Sequence, residues 1–179
     1  FKDVKGRRVQ MHEYSLSCLG PSDYFREMVA TAKETGTSMY AKLQIGTSYE
    51  LSSVPYIPVP GIEHEKLRLA ADLGIKGSML TWIPGGFPGP MTRAAGQGAF
   101  ETTTPRSDFL HRLASIEWGE NAADQVAAAW ELFETAWRGY PVDNAVLYWG
   151  PITRGPAYQL HLERETRLAK PYNWGLTRK

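Results

Sequence analysis

Met39-Tyr-Ala-Lys-Leu-Gln-Ile-Gly46 is the stretch of sequence that decides the fold class. Its apolar residues alternate with polar or small ones, which is the two-residue period of a β-strand whose two faces differ. Residues 77–82 are mostly apolar and predict a second strand, and residues 9–17 are compatible with a third. The three strand starts recur at roughly 30-residue intervals, the length of a βα unit and its crossover. This spacing predicts parallel strands.

Helices are predicted between and after these strands. Gly20-Pro-Ser22 favours a helix start, and Gly36 ends that helix. A second helix is predicted over residues 62–73, and two more are predicted from about Pro105 and after Asn121. The last of these has a broad apolar face and ends before Gly139. The faces of the first, third and fourth helices consist of Phe25, Met28, Val29 and Ala32; Phe109, Leu110, Leu113 and Ile116; and Val126, Ala129, Trp130, Phe133, Ala136 and Trp137.

The remaining segments predict little regular structure. Residues 83–90 are rich in Pro and Gly, and a loop containing Gly and Thr is expected to follow them up to residue 104. After residue 142, only residues 145–149 form a strand candidate. The chain begins at Phe1 without an initiator methionine, so we expect a piece of a longer protein.

Composition excludes several functional classes. The 20 basic and 19 acidic residues give a net charge of +1, so no broad field attracts nucleic acid or an anionic membrane. A single cysteine, Cys18, excludes an internal disulfide and a thiolate cluster. The four histidines, at positions 12, 64, 111 and 161, lack the spacing of a metal site. We therefore expect no cofactor, no metal, no nucleic-acid partner and no membrane partner.

Parallel strands occur in open doubly wound sheets and in closed barrels, and periodicity does not separate the two. No GxGxxG and no GxxxxGK[ST] follows a predicted strand, so a nucleotide-binding sheet lacks its main support. A complete eight-stranded barrel needs about 250 residues, more than the 179 present. The fold is therefore either a partial (β/α)8 barrel or something smaller.

Four blocks of sequence carry a resemblance to a known family. They are His12-Glu-Tyr-Ser-Leu-Ser17, Ala41-Lys-Leu-Gln-Ile-Gly-Thr-Ser-Tyr-Glu50, Val54-Pro-Tyr-Ile-Pro-Val-Pro60 and Gly77-Ser-Met-Leu-Thr-Trp-Ile-Pro-Gly-Gly-Phe-Pro88. Together the blocks resemble large, poorly characterised bacterial proteins with a glycoside-hydrolase-like barrel.

The resemblance implies an α/β fold made of the last three βα units of a (β/α)8 (TIM) barrel. Residues 1–141 would be the C-terminal part of the catalytic domain, and residues 142–179 an extension that leads to or packs on a following domain. The expected partners are a carbohydrate substrate and the missing N-terminal barrel strands of the same protein.

Glycoside hydrolysis generally uses two carboxyl groups that flank the scissile bond. If the apolar residues of the strand that begins near Tyr40 face outer helices, Lys42 and Gln44 point inward, and continued alternation puts Glu50 inward just past the strand. Barrel enzymes place catalytic groups at this end. Glu50 is therefore the first catalytic candidate. The alternative is a solvated loop glutamate or a structural hydrogen-bond acceptor.

Glu13 is the second catalytic candidate, because a carboxylate within a strand is costly unless it is paired or functional. The alternative is an acid/base on a missing upstream strand. Trp82 ends its strand beside a Gly/Pro loop and is the candidate platform for a sugar ring, assisted by Tyr49 or Tyr14. The alternative is that Trp82 closes the core of the barrel.

The other substrate-binding candidates are polar side chains. His12, Lys42 and Gln44 are expected to bind sugar hydroxyls if they face inward, or to satisfy one another inside the barrel. The sequence thus predicts a cofactor-free O-glycosyl hydrolase. Two alternatives remain open: a non-catalytic carbohydrate-binding barrel, and a barrel isomerase or lyase in which Lys42 acts instead of a carboxylate pair.

Overall fold

A computed structural model describes residues 2–10, 15–46, 57–80 and 88–140 of the chain. Within these ranges the chain forms five helices and two sheets of two strands each. In chain order the elements are β1 (Lys2–Val4), β2 (Arg7–Val9), α1 (Asp23–Glu34), β3 (Tyr40–Leu43), α2 (Pro60–Asp72), β4 (Gly77–Leu80), α3 (Pro90–Gly98), α4 (Arg106–Trp118) and α5 (Glu120–Arg138).

The first sheet is an antiparallel hairpin of β1 and β2. Its two-residue turn has positive φ at both positions, 49° at Lys5 and 77° at Gly6, as a type I′ turn requires. The described part of the predicted strand over residues 9–17 departs from the prediction after Val9, the last residue of β2. Gln10 lies outside the strand, and residues 15–18 form a turn in which the Cys18 N–H donates to the Ser15 carbonyl at 3.2 Å. Residues 11–14 lie outside the described residues.

The second sheet confirms the prediction of parallel strands for the middle of the chain. β3 and β4 pair in parallel from Tyr40 opposite Gly77 to Leu43 opposite Leu80, and α2 is the crossover between them. The predicted alternation along β3 is confirmed as well. Its two apolar residues are buried, whereas Tyr40 and Lys42 are exposed.

The structure contradicts the partial (β/α)8 (TIM) barrel. Among the described residues the parallel sheet has two strands, and the chain after β4 continues as three helices. The 30-residue spacing specifies a strand, a crossover helix and a parallel strand, all of which are local. Closing a barrel additionally requires every strand to pair along both edges, and the spacing carries no information about that.

Four of the five helices match those predicted from the sequence. In α1 the Ser22 Oγ accepts the Phe25 N–H at 3.1 Å and caps the helix. The chain leaves α1 through Gly36, with φ of 68°. The predicted apolar faces of α4 and α5 are only partly correct, because Ile116 and Phe133 are 61% and 49% exposed.

Helix α3 was not predicted and replaces most of the loop expected up to residue 104. Its two glycines and the breakers before it favour a loop. However, Pro90 stands at the first helical position, where a proline costs no hydrogen bond. Met91, Ala94 and Ala95 are buried, so packing compensates for the low helix propensity of the glycines.

Helix α2 lies at the centre of the described fold. It packs against α3, α4 and α5, and Leu67 joins it to the buried residues of β3. In its first two turns all residues from Pro60 to Leu67 except Glu65 are buried. A surface helix buries one apolar stripe, whereas the first two turns of α2 are enclosed on nearly all sides.

A network of ion pairs lies against the first turn of α2. The buried Glu134 accepts hydrogen bonds from Arg106 Nη2 at 2.8 Å and from Arg138 Nη2 at 2.7 Å. Arg106 and Arg138 also bind Glu131 and Glu65, respectively, at 2.7 Å and 2.8 Å. The network therefore links α2, α4 and α5.

Gly61 makes room for this network, so we expect Gly61→Ala to destabilise the protein. A Cβ at this position would overlap Glu134 Oε2 and would stand 2.7 Å from Arg106 Nη2. The flexible arms can move, but they would leave a buried carboxylate poorly paired. We expect a loss of about 1–3 kcal/mol in the free energy of unfolding, measured by urea denaturation.

Gly96→Ala is the matched control. Gly96 also lies in a helix, and nothing lies within 4 Å of an added Cβ there. Alanine should be neutral there or stabilise the helix by up to about 1 kcal/mol. Equal stability of the two variants would show that the ion-pair network moves aside at no cost.

Candidate functional site

Three ionisable side chains are buried within one turn of α2. Glu63, His64 and Lys66 are 0%, 3% and 5% exposed. A crossover helix runs antiparallel to the strands that it joins, so the start of α2 lies toward the carboxyl ends of β3 and β4. Ligand sites of α/β proteins occupy this end. We therefore take this part of α2 as the candidate functional site.

Glu63 is the most unusual residue of the site. Neither of its carboxyl oxygens has a hydrogen-bond partner among the described residues. Burial raises the pKa of Glu63 to about 8, although the nearby positive charge of Lys66 lowers it in part. The carboxyl group therefore keeps its proton at neutral pH and is able to donate it.

Lys66 joins α2 to the turn that precedes α1. Its Nζ donates to the Ser15 carbonyl oxygen at 2.5 Å. The Ser15 hydroxyl accepts the Ser17 N–H at 2.9 Å, which stabilises the turn. The Ser17 hydroxyl is buried and has no hydrogen-bond partner among the described residues. The site thus has polar atoms on two chain segments that Lys66 holds together.

His64 faces a different neighbour. Its ring stacks on Phe109 with centroids 4.5 Å apart, and its Nε2 has no hydrogen-bond partner in the described structure. Burial lowers the pKa of His64, and a hydrogen bond with the Thr104 backbone opposes this effect. The imidazole is therefore neutral at neutral pH and ties α2 to α4.

A second, more exposed group of ionisable residues lies between α4 and α5. His111 Nε2 is 3.4 Å from Asp124 and 3.7 Å from Glu120. His111 and Asp124 border an open cleft. Within the described ranges, no group of three or more His, Cys, Asp or Glu residues is arranged to hold a metal ion. No described helix is both long enough and apolar enough to cross a membrane.

Two of the predicted site residues lie in the described structure. Gln44 follows β3 and is completely buried, whereas Lys42 is an exposed residue of β3. The catalytic candidates and the other substrate-binding candidates lie outside the described residues, so their roles stay predictions. These residues are Glu50, Glu13, Trp82, Tyr49, Tyr14 and His12.

Glu63 and Lys66 were not predicted from the sequence as site residues. Polar residues at the start of a helix normally face solvent, and for residues 62–73 the sequence predicted only a helix, without a buried polar side chain. One available signal was the turn Glu63-His-Glu-Lys66, directly after Pro-Val-Pro-Gly-Ile. Four polar residues cover a full turn, so at least one of them must face the core if the helix packs at all.

No family model, curated protein or solved structure matches this chain. The chemistry of α2 and the patterns in the sequence are therefore the only guides to function.

The raised pKa of Glu63 predicts how stability depends on pH. The folded state binds the proton of Glu63 more tightly than the unfolded state does. The stability that Glu63 contributes is therefore fully present below pH 4.5 and declines as the pH rises from 4.5 to about 8. A tenfold change in proton affinity corresponds to about 1.4 kcal/mol, so the loss should reach several kcal/mol. Urea denaturation at successive pH values measures it.

Glu63→Gln should remove most of this decline, because the amide stays neutral throughout. Glu34→Gln is the control, since Glu34 is an exposed carboxylate at the end of α1. It should keep the decline of the wild type. A wild-type stability that does not fall between pH 4.5 and 8 would contradict a protonated Glu63.

Proposed function

We propose that the protein hydrolyses O-glycosidic bonds without a cofactor and that Glu63 is the proton donor of the reaction. The observation that carries the proposal is a fully buried carboxyl group that holds its proton at neutral pH without a hydrogen-bond partner in the described structure. Cleaving a glycoside whose leaving group is an ordinary alcohol requires proton donation to the departing oxygen. A carboxylic acid donates at neutral pH only if its pKa is raised, and desolvation raises it.

The position of Glu63 supports the proposal. It lies in the first turn of α2, at the end of the βαβ unit where the carboxyl ends of β3 and β4 lie. In the sequence, residues 47–56 lie between β3 and α2 and include Glu50. Glu50 is therefore our candidate for the second carboxyl group, and Glu13, which precedes Ser15, is the alternative.

The enclosure of Glu63 sets a further requirement. A substrate must displace the residues that cover the first turns of α2 before the carboxyl group reaches the glycosidic oxygen. Enzymes that exclude water from their reacting groups commonly open and close in this way. The burial that keeps the proton on Glu63 and the need for opening are two consequences of the same packing.

The leaving group provides a sharp test of proton donation. With alkyl glycosides, whose leaving oxygen needs a proton, Glu63→Gln should lower kcat/KM by about 10²–10⁴-fold. With dinitrophenyl glycosides, whose leaving group departs without a proton, the same variant should keep most of the wild-type rate. Hydrolysis of a panel of sugars by the full chain measures both rates.

Two further variants show whether a loss of activity is specific to proton donation by Glu63. Glu34→Gln should match the wild type on every substrate, and Glu50→Gln should lose activity on both kinds of glycoside if Glu50 is the nucleophile. If Glu63→Gln loses both activities equally while it remains folded, Glu63 is not the proton donor. If the wild type binds sugars but cleaves none of them, the carbohydrate-binding alternative replaces the hydrolase.

A further inference from the structure

Helix α5 has a second apolar face on the side opposite to its buried face. The buried face consists of Ala123, Trp130, Glu134 and Trp137. On the opposite side, Leu132 and Phe133 are 73% and 49% exposed. With 3.6 residues per turn, the exposed apolar residues of this side cover about 140° of the helix circumference. These residues form the outer face of α5 and are Ala128, Ala129, Leu132, Phe133 and Ala136.

The outer face carries no charge, although α5 as a whole does. Every charged residue of the helix lies outside the arc that the outer face covers. These residues are Glu120, Asp124, Glu131, Glu134 and Arg138. A surface helix normally directs charged and polar residues to solvent, whereas a centre depleted of charge is typical of a protein–protein interface. A charged partner such as a nucleic acid would find no opposite charge on this face.

The order of small and large residues along the outer face fits a second copy of the same face. Two antiparallel α5 helices can pack about a two-fold axis that passes between residues 130 and 131. Leu132 of one copy then lies opposite Ala129 of the other, and Phe133 lies opposite Ala128. The axis repeats both pairings with the copies exchanged. Each large side chain meets a small one, so the two helices can approach closely.

The area of the outer face sets the strength of such a contact. Leu132 and Phe133 expose roughly 100–150 Å² each, and with the alanines the face offers about 400 Å² per copy, against about 800 Å² per partner in a stable interface. Interfaces of the stable size have dissociation constants from micromolar to picomolar. A contact of half that size should therefore dissociate with a constant above the micromolar range.

We propose that the outer face of α5 is a contact between two copies of this chain, which pack α5 against α5 in antiparallel orientation as a weak, reversible dimer. The proposal goes beyond the hydrolase activity and does not depend on it. Helix α2 contacts the opposite side of α5, where Trp137 packs with Ile62.

Sedimentation velocity of the full chain measures the association. As the concentration rises from micromolar to nearly millimolar, the average mass of the wild type should rise from the monomer's 20.0 kDa toward twice that value. Leu132→Asp should raise the dissociation constant by about tenfold or more, because the contact would bury a carboxylate against an apolar face.

Ile116→Asp is the matched control. Ile116 is 61% exposed on helix α4 and lies outside the outer face of α5. This variant introduces the same charge at another exposed apolar position, so it should associate like the wild type. Circular dichroism shows whether both variants fold.

A mixture of two variants tests whether the partner is a second copy. Leu132→Asp and Leu132→Lys should each associate poorly alone, because equal charges meet near the two-fold axis. In an equimolar mixture, opposite charges attract each other across the contact, so association should recover in part. A variant that had merely lost its fold would show no such recovery.

Three outcomes overturn the proposal. The first is a wild type that keeps the mass of a monomer up to nearly millimolar concentration. The second is equal association of Leu132→Asp and Ile116→Asp. The third is a mixture of the two Leu132 variants that associates no better than either variant alone. None of them affects the hydrolase proposal, whose leaving-group test uses Glu63 on α2.

Discussion

The enclosure of the first two turns of α2 is the constraint on which the rest of the described fold depends. Each of the three apolar clusters includes or contacts a residue of this helix. Ile62 packs with Leu16 and Trp137, Leu67 packs with the residues of β3, and His64 stacks on Phe109 of the α4–α5 cluster. A helix that is surrounded in this way cannot direct its polar residues to water, so each of them must be satisfied or tolerated inside the protein.

Two glutamates, one in this helix and one on the neighbouring α5, show the two ways in which a buried carboxyl group is tolerated. Glu134 and Glu63 are 5% and 0% exposed. Glu134 accepts hydrogen bonds from two arginines, which stabilise its charge. Glu63 accepts none from the described residues, and the uncharged form is favoured instead. With nearly equal burial, the partners decide the charge.

The sequence predicted the local elements of this fold much better than their assembly. The cap at Ser22, the alternation along β3 and the long apolar spacing of α5 are all local signals, and the structure confirms the elements that they predict. Helix α3 and the β1–β2 hairpin were missed, because packing compensates for glycines in one case and the Lys5-Gly6 turn was not recognised in the other. The barrel was wrong because sheet closure depends on pairing between distant segments.

The candidate site illustrates the same limit. A polar residue in an amphipathic helix is assigned to the solvent face by default, and only the position of the whole helix reveals that Glu63 is enclosed. An apolar side chain of similar size would fill this position without the cost of desolvating a carboxyl group. The surroundings of Glu63 offer that group no compensating hydrogen bond among the described residues, so packing and stability alone do not explain its presence. The proton donation that we propose would account for it, because the lack of partners that makes the residue costly also keeps it protonated.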